Sequence, residues 1–304
     1  MRQFDALSDN LKGATILVFA ALLFSLSMAL IKMVGERLPI VQLLFLRQMG
    51  MLVLLIPALA TNFRATVTTQ RPGLQALRVS LALVAMFGGF TAVVHMPLAD
   101  ATAIGFAKSF FVTLFAIVIL KEQVGVFRLL AVLVGFIGVA IMLKPGESEI
   151  DVYGFYALAG AAAAGLVMVI IRLLSRTETS NSILCFQVVG VGLVTVVPSI
   201  VWWVPPTPFE WVLVLALSIA SFFAQKANIF AYKHGEASLL ASLDYVRLLF
   251  ATALGYFLFQ QLPEKSTWIG AGIIILAAIF TVYREAKRKQ QITRAPGGRG
   301  FNQT

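Results

Sequence analysis

Long apolar stretches separated by short polar breaks dominate this chain. A helix of about 20 apolar residues crosses the hydrocarbon core of a bilayer, and ten windows of that size are almost wholly apolar. They lie at about 13–33, 38–60, 72–94, 99–120, 125–143, 152–174, 181–203, 209–232, 237–259 and 266–284. Most gaps hold turn or helix-breaking residues, such as Pro39, Pro145 and Pro263. The pattern predicts an all-α integral membrane protein with ten transmembrane helices, and it disfavours a soluble protein with buried core helices.

The composition excludes several classes of protein. Of the 304 residues, 59% are apolar and only 12% are charged, whereas soluble domains carry about a quarter charged residues. An ordinary soluble enzyme and a disordered binding protein are therefore excluded. The single cysteine, Cys185, and the two histidines, His95 and His234, provide neither a disulfide framework nor a conventional Cys/His metal site. We accordingly expect no metal and no cofactor.

The formal net charge of +10 is explained by where the basic residues lie. With a cytoplasmic N-terminus and ten alternating spans, sixteen basic residues fall on the cytoplasmic side and four on the outer side. Arg78 counts among the cytoplasmic ones and Lys32 among the outer ones. This bias predicts a bacterial-type inner (plasma) membrane protein with both termini cytoplasmic. The basic C-terminal segment is expected to meet anionic lipid headgroups and not nucleic acid, because no aromatic residues interleave its charges.

Internal similarity divides the chain into two halves. A shift of 140 residues places Ser25, Met28 and Lys32 on Gly165, Met168 and Arg172, and a shift of 136 places residues 99–102 on residues 235–238. We therefore predict a first five-helix repeat at 1–145, a second at 146–290 and a flexible basic cytoplasmic tail at 291–304. Because five is odd, the second repeat must be inverted in the membrane relative to the first. Many secondary transporters build their two alternating faces from such inverted repeats.

Few ionisable residues fall well inside the predicted spans: the cations are Arg47, Lys108, Lys226 and Arg247, and the one acid is Asp244. Charges at this depth cost several kcal/mol, so each needs a partner or a water-filled cavity. At about 1.5 Å per residue, Arg47, Lys108 and Arg247 reach the membrane midplane. The cations outnumber the acid there, which favours a substrate that carries a carboxylate, a phosphate or other negative charge.

Helical periodicity separates the fourth span into two faces. Thr102, Lys108 and Ser109 lie on a small and polar arc, which is expected to line a cavity. The opposite arc, which includes Ile104, Phe106 and Phe110, is expected to face lipid. The predicted substrate-binding residues of the whole chain are Lys108, Arg247, Arg47, Asp244, Ser109, Thr102, Gln225, Asn228, Tyr245 and Gln187. Gln187 is included because the shift of 140 places Arg47 on it.

Alternative interpretations are open for most of these residues. Asp244 and Arg247 are spaced i, i+3, so they could simply neutralise one another. Lys226 could extend to the cytoplasmic surface or pair with Asp244. Arg47 could bond to backbone carbonyls at a helix crossing. Lys108 has no obvious acidic partner in its own half, and a role facing the substrate is the interpretation we favour.

Three stretches resemble one known family. MPLADATAIGFAKSFFVTLFAIVILKEQVG (residues 96–125) is similar to the fourth-span signature of the drug/metabolite transporter superfamily, EamA type. AYKHGEASLLASLDYV (231–246) resembles the matching region of its second repeat, and LFLRQMG (44–50) resembles its second-span arginine motif. The family often has a proline with a small or polar neighbour where this chain has Ala107, Lys108 and Ser109, so this chain places a cation in the expected pocket.

The resemblance implies a fold, a set of substrates and a mode of action. It implies ten helices as two inverted five-helix repeats, around a cavity lined mainly by helices 1, 3, 4, 6, 8 and 9. Members move amino acids, nucleobases, riboflavin-like vitamins, adenosyl-methionine, polyamines, carboxylates and sugar nucleotides. We therefore predict a secondary active transporter of a small polar metabolite, anionic or zwitterionic, that works by alternating access. Protons or a counter-substrate are the expected coupling partners.

Three alternatives to this function are open. The first is a transporter of a neutral or cationic metabolite or drug in which Asp244 couples transport to protons. The second is a channel-like facilitator, against which the inverted repeat argues. The third is an intramembrane enzyme, which needs a nucleophile with a base, paired carboxylates or a metal cluster at one depth. With one intramembrane acid, none of these assembles, and we predict that the protein is not an enzyme.

Overall fold

The computed structural model describes residues 9–121, 126–143, 152–174, 176–234 and 246–294, and these residues form helices and connecting turns without a strand. The helices are α1 (Asp9–Gly35), α2 (Ile40–Thr61), α3 (Phe63–Val67), α4 (Pro72–His95), α5 (Leu98–Gly105), α6 (Lys108–Leu120), α7 (Val126–Leu143), α8 (Val152–Leu174), α9 (Ser180–Val201), α10 (Pro208–His234), α11 (Val246–Phe259) and α12 (Lys265–Arg294).

Seven stretches of these helices are long and apolar enough to cross a membrane. They are Thr15–Gly35, Ile40–Thr61, Pro72–His95, Leu98–Ile119, Val152–Ile171, Ser180–Val201 and Pro208–Ala227. Three shorter apolar stretches are Val132–Met142, Val246–Phe259 and Lys265–Ala277. Large apolar side chains such as Val118 and Phe257 are more than 70% exposed, as expected for surfaces that face lipid. The chain is therefore an all-helical membrane protein with several spans, and the count of ten transmembrane helices stays a prediction.

The C-terminal end differs from the sequence expectation in one respect. Helix α12 continues to Arg294, so residues 291–294 of the segment predicted to be a flexible tail are helical. Residues 295–304 lie outside the described residues, as does the predicted boundary between the halves near residue 145.

The two halves of the chain pack against each other through four main helix pairs. Helix α1 packs on α10, α4 on α8, α2 on α9 and α7 on α12. Two of these pairs bring backbones into contact at glycines. A Cβ atom on Gly138 of α7 would lie 2.8 Å from the carbonyl oxygen of Gly270 on α12, and a Cβ atom on Gly160 of α8 would lie 3.0 Å from the amide nitrogen of Gly89 on α4. Small residues at these positions allow the close approach that membrane helices use in place of a hydrophobic driving force.

Lys32 holds the end of α4, which corrects its assignment to an outer loop. Its side chain is 3% exposed, and its Nζ donates hydrogen bonds to the carbonyls of Val93, Val94 and Met96 at 3.0, 3.2 and 2.6 Å. The last turn of a helix leaves carbonyls without helical partners, and a buried cation is a strong partner for them. Lys32 is therefore a structural residue that joins α1 to α4.

Polar contacts join the halves at the end of the bundle where α1 ends and α2 begins. Gln42 donates from Nε2 to the carbonyl of Val204 at 2.8 Å, and its Oε1 accepts from the Val204 amide at 2.9 Å. Arg37 forms an ion pair with Glu210, at the start of α10. The hydrogen bond to Glu210 raises the pKa of the exposed Arg37 above its usual value.

A second set of contacts joins the halves at the opposite end, where α4 begins. Oε1 of Glu178 accepts hydrogen bonds from the Thr69 hydroxyl at 2.7 Å and from the Gln70 amide at 2.8 Å. Ser182 of α9 donates to the carbonyl of Thr68 at 3.1 Å. The interface around α2 and α9 is thus held by polar contacts at both ends of the bundle.

The apolar span Leu98–Ile119 contains a tight turn that the sequence does not predict. Between α5 and α6 the chain turns at Phe106 and Ala107, halfway along the span Leu98–Ile119. The amides of Phe106, Ala107, Ser109 and Phe110 each donate to the carbonyl three residues earlier, at 2.9–3.1 Å. This 3₁₀-like winding replaces the usual spacing of four residues, and such stretches in mid-helix often mark a hinge or a functional site.

Candidate functional site

Arg47 begins a buried chain of polar side chains in the middle of the helix bundle. It lies on α2 and is 6% exposed. Its Nε donates to the Ser221 hydroxyl of α10 at 3.0 Å, and Ser221 in turn donates to Ser27 of α1 at 3.3 Å. The guanidinium carbon lies 5.7 Å from the centre of the Phe90 ring of α4. Arg47 therefore contacts α10 and α4, one helix from each half of the chain, and is linked through Ser221 to α1.

The chain of polar side chains continues from Arg47 to a second buried arginine. Arg47 donates from Nη1 to Oε1 of its neighbour Gln48 at 3.3 Å, and Gln48 donates from Nε2 to the backbone carbonyl of Gln187 at 3.4 Å. The side-chain Oε1 of Gln187 accepts from Nη2 of Arg78 at 2.6 Å. Arg47 and Gln187, which the repeat shift relates to each other, thus belong to one polar network.

Arg78 was assigned to a cytoplasmic loop from the sequence, and that assignment is wrong. It lies in the second turn of α4 with 3% of its surface exposed, and its Nη1 donates to the carbonyl of Ile183 on α9 at 2.9 Å. The assignment failed because Arg78 lies near the end of an apolar window, where a basic residue usually signals orientation.

Lys108 lies directly after the turn between α5 and α6. Its side chain is partly exposed, and Ser109 beside it is exposed in the middle of an apolar span. One turn earlier, a Cβ atom on Gly105 would meet no atom within 4 Å. The hydroxyl of Thr102 donates to the carbonyl of Leu98 at 2.7 Å and that of Ser109 donates to the carbonyl of Phe106 at 2.8 Å, so both have acceptors within the same span. The small and polar face predicted around Lys108 therefore has open space beside it.

Part of the opposite face of this span packs against protein, so the expectation that Ile104, Phe106 and Phe110 face lipid is wrong. Ile104, Phe106 and Phe110 are at most 5% exposed. The Phe110 ring fills the space beside Gly135 of α7, and its centre lies 6.0 Å from that of Phe136. These three residues therefore lie on the core side of the span, where Phe110 packs against α7.

Arg247 lies at the start of α11 and contacts α1. Its guanidinium carbon is 4.5 Å from the centre of the Phe24 ring, and the Ser25 hydroxyl donates to its backbone carbonyl at 3.1 Å. Helix α1 thus contacts Arg247 through Phe24 and Ser25, and it contacts the Arg47 network through Ser27. Asp244 and Tyr245 lie outside the described residues.

The candidates on α10 have different surroundings. Gln225 is partly buried, and its Nε2 lies 3.8 Å from the sulfur of Met51, one turn beyond Arg47 and Gln48 on α2. Lys226 is exposed, with its Nζ 4.6 Å from the centre of the Phe222 ring. Asn228 belongs to α10, and its side chain lies outside the description.

Two features of this region were missed by the sequence reasoning. Gln48 was overlooked because it lies neither on one of the polar helix faces nor at a position matched by the repeat shift, although an amide buried among apolar residues also needs partners. Phe24 was overlooked because one more phenylalanine in an apolar span carries no signal of its own. In the described part of the chain, no group of three or more His, Cys, Asp or Glu side chains could hold a metal ion.

The fold and these polar contacts define a membrane protein of many helices whose buried cations join its two halves. The sequence pattern of the EamA-like transporter family matches residues 11–144 and again residues 153–283, and the chain belongs to that family. The resemblance noted from the fourth-span and second-span stretches is thereby confirmed.

Individual relatives agree with the family. The S-adenosylmethionine uptake transporter of Rickettsia prowazekii is 27% identical over 283 residues, which cover 93% of this chain and 96% of that protein. The pseudopaline exporter of Pseudomonas aeruginosa is 31% identical over 288 residues, which cover 92% and 99%. A solved crystal structure with 20% identity superposes with a TM-score of 0.65 over 91% of this chain and 98% of its own, which shows the fold alone. These relatives of the chain are named as transporters or exporters and not as enzymes, so the prediction of a transporter that is not an enzyme is confirmed.

Proposed function

We propose that this chain is a secondary active transporter that moves a small anionic or zwitterionic metabolite across the inner membrane by alternating access. The observation that carries the proposal is the position of Lys108. It follows a tight turn halfway along an apolar span, is partly exposed and lies one turn from the open space beside Gly105. A cation is expensive at such depth unless it meets a partner, water or a ligand, and the partial exposure of Lys108 leaves it accessible to a substrate. Arg47 and Arg78 are almost fully buried.

The way the helices pair supports two inverted repeats. The proposed first repeat contains five spans, which are α1, α2, α4, the pair α5 and α6, and α7. The second repeat contains α8 to α12 in the corresponding order. Exchanging each helix for its counterpart in the other repeat converts the packed pair of α1 and α10 into the packed pair of α8 and α4. The same exchange maps the pairs of α2 with α9 and α7 with α12 onto themselves. The two separate matches to one family pattern favour the same interpretation. Rocking of such repeats about a central site is the usual basis of alternating access.

The four charged candidates have proposed roles. Lys108 and Arg247 attract the negative group of the substrate, and Phe24 holds the Arg247 guanidinium in place. Arg47 shapes the cavity from α2, together with Ser221 and Ser27. Asp244 is either the counter-ion of these cations or a protonation site. A bound substrate that neutralises the surplus positive charge lowers the free energy of closing the cavity. Substrate binding therefore shifts the transporter from open states towards closed ones.

A thermal-shift screen with matched pairs of compounds tests the charge of the substrate. The purified protein is heated with carboxylate-containing metabolites and with the matching amide of each, which lacks the negative charge. We expect carboxylates of one class to raise the melting temperature, while their amides do not, because only the charged form compensates Lys108 and Arg247. Stabilisation by amides or amines alone would contradict the proposal and favour a neutral or cationic substrate.

Asp244→Asn tests proton coupling. If Asp244 carries the coupled proton, uptake driven by an imposed pH gradient should be lost in proteoliposomes, while exchange of internal for external substrate persists, because asparagine cannot be protonated. Asp9→Asn, a neutralised carboxylate before the first apolar stretch Thr15–Gly35, is the control and should behave as the unchanged protein. Continued proton movement with the substrate in the Asp244 variant would rule out this role.

A further inference from the structure

Gln75 and Arg78 form a polar cluster near the start of α4 that the proposed transport cycle does not use. Gln75 is 2% exposed and Arg78 is 3% exposed. They are spaced i, i+3 on one helix, so they lie on the same face one turn apart. Leu174, Ile183 and other apolar residues of α8 and α9 surround this end of α4 in a hydrophobic cluster with Leu74.

The hydrogen-bonding groups of this cluster are incompletely satisfied. Both amide atoms of the Gln75 side chain, Oε1 and Nε2, are buried without a hydrogen-bond partner, and so is Nε of Arg78. Native proteins pair the great majority of such buried groups with protein, water or a ligand. Arg78 uses its Nη1 and Nη2 on the Ile183 carbonyl and the Gln187 side chain, so Nε and the neighbouring amide remain as donors.

The charge of Arg78 is also uncompensated in the described part of the chain. Its two hydrogen-bond acceptors are neutral, and the described carboxylates make no ion pair with it. Glu178, at the start of α9, uses Oε1 to accept from Thr69 and Gln70. The N-terminal ends of α4 and α9 both lie at this end of the bundle and add positive potential.

We propose that Gln75 and Arg78 bind a small monovalent anion of the size of chloride. The amide Nε2 of Gln75 and the Nε of Arg78 supply donors for the anion, and the guanidinium supplies the charge that selects an anion over a water molecule. The site lies on α4 at the α9 interface and is separate from Lys108 and Arg247. Its role is to compensate the buried charge of Arg78, and thereby to stabilise the contact between α4 and α9.

Chloride dependence of the melting temperature tests the site. The full-length protein in detergent is heated in sodium chloride and in sodium gluconate at the same ionic strength, because gluconate is a monovalent anion much larger than chloride. We expect chloride to raise the melting temperature of the unchanged protein by about 2–4 °C, in a saturable manner. Gln75→Leu should lose this increment, and Gln70→Leu, which changes an exposed side chain five residues away, should keep it.

Two results would overturn the proposal. If the unchanged protein melts at the same temperature in both salts, the cluster binds no chloride. If Gln75→Leu is more stable than the unchanged protein in both salts, the Gln75 amide has no ligand. Leucine would then remove an unpaired buried polar group without removing a hydrogen bond. A chloride increment that the Gln75→Leu protein lacks and the Gln70→Leu protein retains supports the site, whatever the substrate of the transporter is.

Discussion

Gly270→Leu is expected to prevent α7 and α12 from packing, and the variant should yield almost no monodisperse protein after extraction from the membrane. A Cβ atom at position 270 would lie 2.5 Å from the carbonyl oxygen of Gly138, which is backbone and cannot rotate away. The two helices must therefore move apart at this crossing. Overpacking in a core usually lowers the free energy of unfolding by about 1–3 kcal/mol. A clash with the backbone of the partner helix should cost at least the upper value of this range.

Gly272→Ala is the matched control for this prediction. Gly272 lies on the same helix two residues later, and a Cβ atom there would meet no atom within 4 Å. Alanine is favoured over glycine in a helix by about 1 kcal/mol, so this variant should be as stable as the unchanged protein or slightly more so. Size-exclusion profiles and melting temperatures of both variants measure the difference. A Gly270→Leu protein that melts like the unchanged one would show that α7 and α12 do not meet at this glycine.

The positions of the helices could be predicted from apolar length alone. In the described residues, a helix occupies each of the ten predicted windows, and most ends agree within a few residues, as for Pro72–His95. The turn at Phe106 and Ala107 could not be predicted, because neither residue breaks a helix. Helix α5 packs on α8 and α11, whereas α6 packs on α8 and α7, and a single span does not reveal these neighbours.

The sequence separated the small and polar face around Lys108 from the apolar face of the same span, but it misjudged the surroundings of other charges. Lys32 and Arg78 lie close to the ends of apolar windows, where basic residues normally contact solvent or lipid headgroups. Burial by α4 and α9 decides their roles instead, and these neighbours are distant in the sequence. The count of basic residues in the loops predicts the orientation of the whole protein in the membrane. It does not reveal which individual basic residue is buried between the helices.

Lys108→Met is expected to reduce uptake in proteoliposomes by about 100-fold or more, while expression and melting temperature without ligand stay close to those of the unchanged protein. Losing one partner of a buried charge contact costs about 2–5 kcal/mol, and a factor of 100 corresponds to about 2.7 kcal/mol. Methionine keeps the unbranched apolar stem and suits the helix, so packing against Gly165 of α8, which touches the backbone of residue 108, is preserved. The thermal shift produced by the transported carboxylate should disappear together with transport.

Lys226→Met makes the same substitution at a lysine with different surroundings and is the control for Lys108. Lys226 is exposed on α10 and stacks on Phe222, so removal of its charge should leave uptake within about twofold, because an exposed cation contributes little. The two variants have the same net charge, so a nonspecific effect of charge on reconstitution or orientation would affect both equally. Unchanged transport in Lys108→Met would remove Lys108 from the substrate site, and the positive surplus would then have to act through Arg247. A loss of transport in Lys108→Met that Lys226→Met does not share ties the substrate to the turn between α5 and α6, where the span departs from regular helix.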